Sequence, residues 1–358
     1  MGYPQTKFPV SILTGFLGSG KTTVLNQLVR RPEMAEALVI VNELGEIGID
    51  HELVESATDD VVLLQSGCLC CSVRSDLIET LQSMLRKAEL GHISPFNRVI
   101  IETTGLADPG PILQAFMAEP SVTRHFEVDG VIAMADAVNG EATLDRHIEA
   151  VKQAAVADRV LLTKTDLALP TQRLALEQRL RILNPAAPIM PTVLGEDIDP
   201  GLLFGLGLYD ATSKSSDVRR WMGWDGAPGN GRPERDGHAE HTHDQAIRHD
   251  EHIRTICLVL NEPIPGEVLD RWLNSLLRFR GPDLLRFKAI VNVQELSGPL
   301  VLHGVQHVIH PPMMLKEWPS EDRRTRMVFI TYDIDETALR SSFQRAAFEP
   351  AGHLSIDA

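Results

Sequence analysis

The sequence predicts an α/β chain: a mostly parallel sheet covered by helices, followed by a smaller α/β C-terminal domain. Three observations lead there. Short runs rich in Val and Ile alternate with amphipathic stretches through about the first two hundred residues of the chain. Those runs are apolar on both faces, as the strands of a parallel sheet covered on both sides must be. A polar interval then interrupts the pattern before ordered periodicity returns, and a length of 358 residues exceeds what one hydrophobic core usually serves.

In chain order, strands are expected at residues 8–14, 37–42, 60–65, 97–103, 128–136, 158–163 and 188–193. Helical patterns fall between them, at 72–88 and 143–157. Strand–helix alternation of this kind builds a parallel sheet. Residues 212–252 are polar, rich in Gly and His, and without sustained period, the mark of a linker or mobile insertion. From Ile253 onward, strands are expected at 253–260, 284–293, 298–305 and 326–333, with helices at 265–279 and 336–347. The predicted organisation is therefore a domain over 1–211, a linker over 212–252 and a second domain over 253–358.

The formal net charge of −15 argues against sequence-independent binding to nucleic acid or to an anionic membrane, and it suits attraction of cations. No apolar run reaches the roughly 18 residues of a membrane span. The opening "MGYPQTKFPVSILTGF" lacks the basic region, apolar core and cleavage site of a secretory signal. A cytoplasmic chain is expected, where thiols stay reduced.

"GFLGSGKTT", residues 15–23, is a complete Walker A signature that follows a predicted strand and opens a helix. It makes the first domain a P-loop NTPase. Gly15, Gly18, Ser19, Gly20, Lys21, Thr22 and Thr23 form the expected phosphate cradle. Glycines let backbone N–H groups wrap the anion, the helix N-terminus favours it, and Lys21 reaches the β- and γ-phosphates. The Thr22 hydroxyl is the expected Mg²⁺ ligand. Glu102, ending the strand "RVIIE", adds a carboxylate for Mg²⁺, and Gly105 offers an N–H to a γ-phosphate. These four, Lys21, Thr22, Glu102 and Gly105, are the catalytic candidates. Further on, "TKTD" places Thr163, Lys164 and Asp166 just after a strand. A carboxylate at Asp166 can accept two hydrogen bonds from the amino edge of guanine, which adenine does not offer in that arrangement. GTP with Mg²⁺ is the expected cofactor pair.

The chain has four cysteines, and "GCLCC" concentrates Cys68, Cys70 and Cys71 at a predicted strand–helix turn. Three readings compete: a metal site, a redox site, or an inert buried turn. Adjacent cysteines pair badly as disulfides, and the dithiol spacing of redox motifs is missing. Clustered thiolates need a cation, and Zn²⁺ takes sulfur ligands in tetrahedral array. Glu43, in the acidic loop "VNELGEIGID", is a candidate fourth ligand. The same loop is a candidate to order around γ-phosphate and Mg²⁺.

With "GFLGSGKTT", "VNELGEIGID", "GCLCCSVRSDL", "ETTGLADP" and "TKTDL" in this order and spacing, the chain resembles the CobW family of P-loop GTPases. The segments "LLRFRG", "LVLHGVQHVIHPP" and "RRTRMVFI" look like the C-terminal domain of that family, so the resemblance covers nearly the whole chain. It implies a GTP-hydrolysing metallochaperone. Cys68, Cys70 and Cys71 would bind a transition metal, zinc or cobalt, for transfer to client metalloproteins. Leu44, where Phe is frequent, and Thr163, where Asn is usual, depart from the family pattern. Thr163 leaves the strictness of GTP over ATP open. Slow intrinsic turnover is expected, because no arginine finger or water-positioning Gln is evident.

His238, His241, His243, His249 and His252 place five of thirteen histidines in the linker. They read either as part of a hydrophilic connector or as a loose site for Zn²⁺, Co²⁺ or Ni²⁺. In "HGVQHVIH", a single strand would put His303 and His307 on one face and His310 on the other. Two rival functions remain: a non-enzymatic metal buffer or sensor tuned by nucleotide, and a P-loop small-molecule kinase, which leaves the cysteines unexplained. A monomer or a nucleotide-dependent dimer is expected, with no nucleic acid or membrane partner.

Overall fold

Nearly continuous burial along Phe8–Gly15 makes this stretch the central strand, β1, of the first unit. The computed structural model describes residues 7–43, 61–65, 71–193, 198–205 and 252–348, with backbone alone at 42–43, 61–65 and 71–74. Around β1 stand β2 (Ala37–Glu43), β3 (Val61–Gln65), β4 (Arg98–Glu102), β5 (Phe126–Asp136), β6 (Arg159–Thr163) and β7 (Ile189–Pro191). All pair in parallel, in the order β3-β2-β4-β1-β5-β6-β7.

The helices of this unit are α1 (Lys21–Val29), α2 (Cys71–Glu89), α3 (Gly110–Ala118), α4 (Pro120–Thr123), α5 (Gly140–Arg146), α6 (Ile148–Val156), α7 (Pro170–Leu183) and α8 (Pro200–Leu203). Val24, Leu25 and Leu28 of α1 pack on Leu13, Ile100, Met134 and Leu161 of the sheet. The alternate residues Ile12, Ile101, Val131 and Ala133 are buried too, so both sheet faces are covered. Each such aliphatic side chain contributes about 1.5–3 kcal/mol of burial.

Two elements depart from the pattern expected of the sequence. The strand expected at 188–193 shrinks to Ile189–Pro191 at the sheet edge, where Pro188 and Pro191 bring no N–H to a ladder. The helix expected over 143–157 breaks at His147, whose backbone is extended (φ −133°, ψ 109°) and whose ring stacks on Phe16 at 4.3 Å. A contact to the distant loop wins over helical continuity there. β5 also carries a bulge opposite Val10 and Ser11. Its residue Asp129, 5% exposed, accepts from Ser11 Oγ at 3.0 Å and from the Gly205 N–H at 2.9 Å.

The second unit is an antiparallel sheet carrying two helices. Its strands are β8 (Ile253–Leu260), β9 (Leu284–Val291), β10 (Leu300–Val305), β11 (Val308–Ile309), β12 (Met313–Met314) and β13 (Thr325–Tyr332). They run in the order β11-β10-β9-β13-β8, with β12 beside β10. Helices α9 (Gly266–Arg280) and α10 (Glu336–Phe348) lay Leu269, Trp272, Leu273, Leu276 and Leu339 on Ile256, Phe287, Met327 and Phe329. Phe329 stacks on Phe287 at 4.8 Å and meets the Trp272 edge at 5.9 Å.

Phe329→Ala is expected to destabilise this unit by about 3–5 kcal/mol through the cavity it leaves. Phe279→Ala, at a side chain 73% exposed, should change stability by less than about 0.5 kcal/mol. Urea denaturation combined with hydrogen exchange along β9 and β13 reads both.

Candidate functional site

Strand order places the site. β1 lies between β4 and β5, while its successor β2 pairs on the far side of β4, so the connections diverge at the C-terminal end of β1. Open α/β sheets form a crevice at such a point. The loop Phe16–Gly20 occupies it. Gly15 (φ 142°), Gly18 (φ 72°) and Gly20 (φ 92°) all take left-handed backbone, which side-chain-bearing residues rarely adopt. A Cβ on Gly15 would stand 2.6 Å from the Met134 carbonyl oxygen and 2.7 Å from Ser19 Oγ.

The loop fits a polyanion. Gly20 is the N-cap of α1, so first-turn amides without intrahelical partners face it. Lys21 is 8% exposed, and its Nζ donates to the Phe16 carbonyl at 3.2 Å. Ser19 is 3% exposed, and its hydroxyl has no hydrogen-bond partner among the described residues. Thr22 Oγ1 donates to Glu102 Oε1 at 2.7 Å, with Glu102 4% exposed. A hydroxyl and a carboxylate are the hard oxygen donors that Mg²⁺ takes. Thr23 is exposed.

The loop after β4 touches the P-loop. Thr103 donates through its N–H to the Leu13 carbonyl and through its hydroxyl to Thr14 Oγ1, both at 2.9 Å. A Cβ on Gly105 would lie 2.6 Å from the Leu17 backbone nitrogen. Gln153 of α6, 1% exposed, clamps this loop from behind: its Nε2 donates to the carbonyls of Gly105 (3.2 Å) and Ala107 (3.0 Å). Lys152 adds an ion pair to Asp108 at 3.0 Å.

At the other end of the crevice stands "TKTD". Thr163 Oγ1 donates to the Ser19 carbonyl at 2.8 Å, tying β6 to the P-loop. Lys164 has left-handed backbone (φ 56°) and pairs with Asp136 at 2.8 Å. Asp166 is exposed, as a group reading a ligand must be. Burial raises the Asp136 pKa, but hydrogen bonds from Lys164, Asn139 and the Val138 and Asn139 amides outweigh it, and the net shift is downward. A depressed carboxyl contributes stability that is fully present above the ordinary aspartate range and lost only as pH falls through its lower folded value. The ion pair therefore stands throughout the neutral range.

The metal candidates are placed only in part. β2 and β3 end together, two residues beyond the end of β4: Val41 pairs with Glu102, and Glu43 with Gln65. The connections holding "ELGE" and "GCLC" thus leave the sheet at the edge that holds the P-loop. Cys71 is the first residue of α2. Cys68, Cys70, the side chains of Cys71 and Glu43, and His238, His241 and His243 lie outside the described residues. Among the described residues no group of three or more His, Cys, Asp or Glu is placed to hold a metal ion. His252 instead contacts Asp333 at 2.7 Å. "HGVQHVIH" is not one strand: β10 and β11 form a hairpin that turns at Gln306 (φ 54°), and His310 stacks on His303 at 4.6 Å instead of facing away.

Asp136, Asn139, Gln153 and His147 were missed from the sequence. Asp136 alone carried a signal, an acid ending a central strand like Glu102.

Residues 9–191 match the CobW/HypB/UreG nucleotide-binding domain, and residues 253–347 match the C-terminal domain of cobalamin synthesis protein cobW. The chain is 32% identical over 334 residues to the zinc chaperone YjiA of Escherichia coli K12, covering 93% of this chain and 97% of the relative. It is 28% identical over 369 residues to the zinc chaperone CobW of a Sinorhizobium species, covering 94% and 97%. The crystal structure of zinc-bound YjiA GTPase from E. coli matches with a TM-score of 0.69 at 29% identity, covering 95% of this chain and 99% of that one. No helix among the described residues is long and apolar enough to cross a membrane.

Gln153→Leu keeps the volume and removes both donors, stranding two carbonyls. The expected cost is about 1–3 kcal/mol in thermal or urea unfolding, with faster hydrogen exchange at Gly105 and Leu106.

Proposed function

The chain belongs to the CobW/HypB/UreG family of nucleotide-binding proteins, and on that premise we propose that it is a GTP-hydrolysing metallochaperone whose cargo is zinc. The observation that carries this reading is the shared sheet edge. The P-loop, the Thr22–Glu102 pair and the strand ends that lead into "VNELGE" and "GCLCC" all open on one side of the sheet.

In this reading Lys21 and the loop amides hold the phosphates, and Lys164 and Asp166 recognise guanine. Thr22 and Glu102 would hold Mg²⁺, which screens phosphate charge when bound. The Gly105 N–H receives the γ-phosphate. Water attacks the γ-phosphorus, the bond to the β-γ bridging oxygen breaks, and GDP, phosphate and a proton leave. Gly105 then loses its anionic partner, and the loop behind Glu102 relaxes against the P-loop.

Cys68, Cys70 and Cys71, with Glu43 as fourth ligand, take the zinc. Cys71 opens α2, and a helix N-terminus favours the thiolate form of a cysteine. Both full-length relatives described above carry the name zinc chaperone, which favours zinc over cobalt. The second unit meets the client metalloprotein. Intrinsic turnover is slow.

The test is a competitive Zn²⁺ titration against a chelator, with and without a non-hydrolysable GTP analogue. Removing a neighbour of a metal ligand typically costs about 10–100-fold in affinity, so removing a ligand should cost at least that. Cys68→Ala should lose zinc to that extent yet still bind GTP, and Lys21→Ala should do the reverse. Parental zinc affinity in Cys68→Ala sinks the cargo assignment. Zinc binding without any GTP turnover, even beside a client, sinks the enzymatic one.

A further inference from the structure

The ion pair between Lys164 and Asp136 is more than a surface contact. Lys164 sits in left-handed backbone (φ 56°), a conformation that persists in a non-glycine residue only when its surroundings enforce it. A backbone bond shares in holding it, since the Leu167 N–H donates to the Lys164 carbonyl at 3.1 Å. A cavity of about 280 Å³, lined in part by Phe16, Leu17, Asp136, Asn139 and Lys164, opens beside the pair, so the lysine side chain borders open space there.

The side chain itself is anchored by the Asp136 carboxylate, which three further hydrogen bonds hold in place. Asp136 Oδ1 accepts from the amides of Val138 (2.8 Å) and Asn139 (3.3 Å). Its Oδ2 accepts from Asn139 Nδ2 (3.1 Å) and Lys164 Nζ (2.8 Å). Asp136 is paired with Thr163 in the β5–β6 register, so the acid and the lysine spring from adjoining strand ends. Anchoring Nζ fixes the course of the Lys164 side chain. Through that left-handed residue it also fixes the direction in which the chain runs on to Asp166.

We propose that Asp136 is a positioning residue for nucleotide recognition, acting through Lys164 to set affinity and selectivity for guanine nucleotides. This rests on the base-reading role given above to Lys164 and Asp166. Asp136→Asn is the informative change, because an amide oxygen still accepts from Val138 and Asn139 while the counter-charge is lost.

The experiment measures dissociation constants for GTP, GDP and ATP on the full chain, for the parent, Asp136→Asn, Lys164→Met and the double variant. Thermal denaturation without nucleotide checks each fold. Asp136→Asn should weaken GTP and GDP alike by about tenfold, the loss expected when a charge-assisted hydrogen bond is removed, and lower the GTP-over-ATP ratio. Lys164→Met should weaken them at least as much. The double variant should be no weaker than Lys164→Met, a non-additivity that a purely turn-stabilising aspartate would not produce. Additive losses, or parental guanine affinity in Asp136→Asn while Lys164→Met loses it, overturn the inference and leave base reading by Lys164 intact. A parent without guanine preference, or a Lys164→Met variant that keeps it, removes the base-reading role and this inference with it.

Discussion

One close approach governs the arrangement: the P-loop is wedged between two neighbouring chain segments that leave no room for a Cβ. On one side the Met134 carbonyl of β5 crowds Gly15, and on the other the Leu17 backbone crowds Gly105, each within 2.6 Å of where a Cβ would stand. Protein interiors at this density do not absorb a methyl group without shifting backbone. The phosphate-binding loop is thus positioned by contact on both flanks. Any displacement of the Gly105 loop must be felt by Leu17. A single missing carbon at each point makes a mechanical connection that no hydrogen bond at the surface would supply.

The polar links divide the crevice into two kinds of support. At the β6 end, Thr163 bonds the Ser19 carbonyl and Lys164 bonds Asp136, so β6 is joined to the P-loop and to β5 by side chains on adjoining strand ends. The threonine that stands where Asn is usual thus bonds the loop through its hydroxyl. At the phosphate end, the Gly105 loop is held from behind by Gln153 and by the Lys152–Asp108 pair, both reaching from α6. That end is tethered to a helix and lies in direct contact with the loop that cradles phosphate. The β6 end is fixed to the sheet itself.

The same contrast explains what the sequence revealed. Buried parallel strands announce themselves by composition, and β1 to β6 appear close to where Val and Ile runs place them. The glycines and lysine of the loop are equally legible, because phosphate binding demands local geometry at fixed spacing. Residues that act across the chain are not. Gln153 meets Gly105 at a separation of 48 residues, and Lys164 meets Asp136 at a separation of 28. Neither pair leaves a periodic or local mark. His147 illustrates the cost to secondary-structure reading: helical periodicity runs through it, yet stacking on Phe16 pulls it out of the helix. The histidines of "HGVQHVIH" fail for the opposite reason, since a turn at a non-glycine left-handed residue, Gln306, gives no glycine to read.

Strand order finally bears on how hydrolysis would reach the cargo in the proposed function. Counting from β1, the proposed base-reading turn follows β6, two places to one side; the connections proposed to bear the cargo follow β2 and β3, two and three places to the other. With strands about 4.8 Å apart, the end of β3 lies roughly 14 Å from the P-loop strand. β4 stands between, and its end carries Glu102 and the Gly105 loop. A nucleotide lying along this edge with its base over β6 must point its terminal phosphate toward β4, the strand separating it from the proposed zinc ligands. In the proposed cycle, loss of the γ-phosphate would change contacts on the β4 side and leave the Lys164–Asp136 pair as it was. Under the proposed function the fold would give hydrolysis a direction: the half of the site held by Asp136 and Thr163 would keep the nucleotide in place, while the half braced by Gln153 would receive the change at the γ-phosphate.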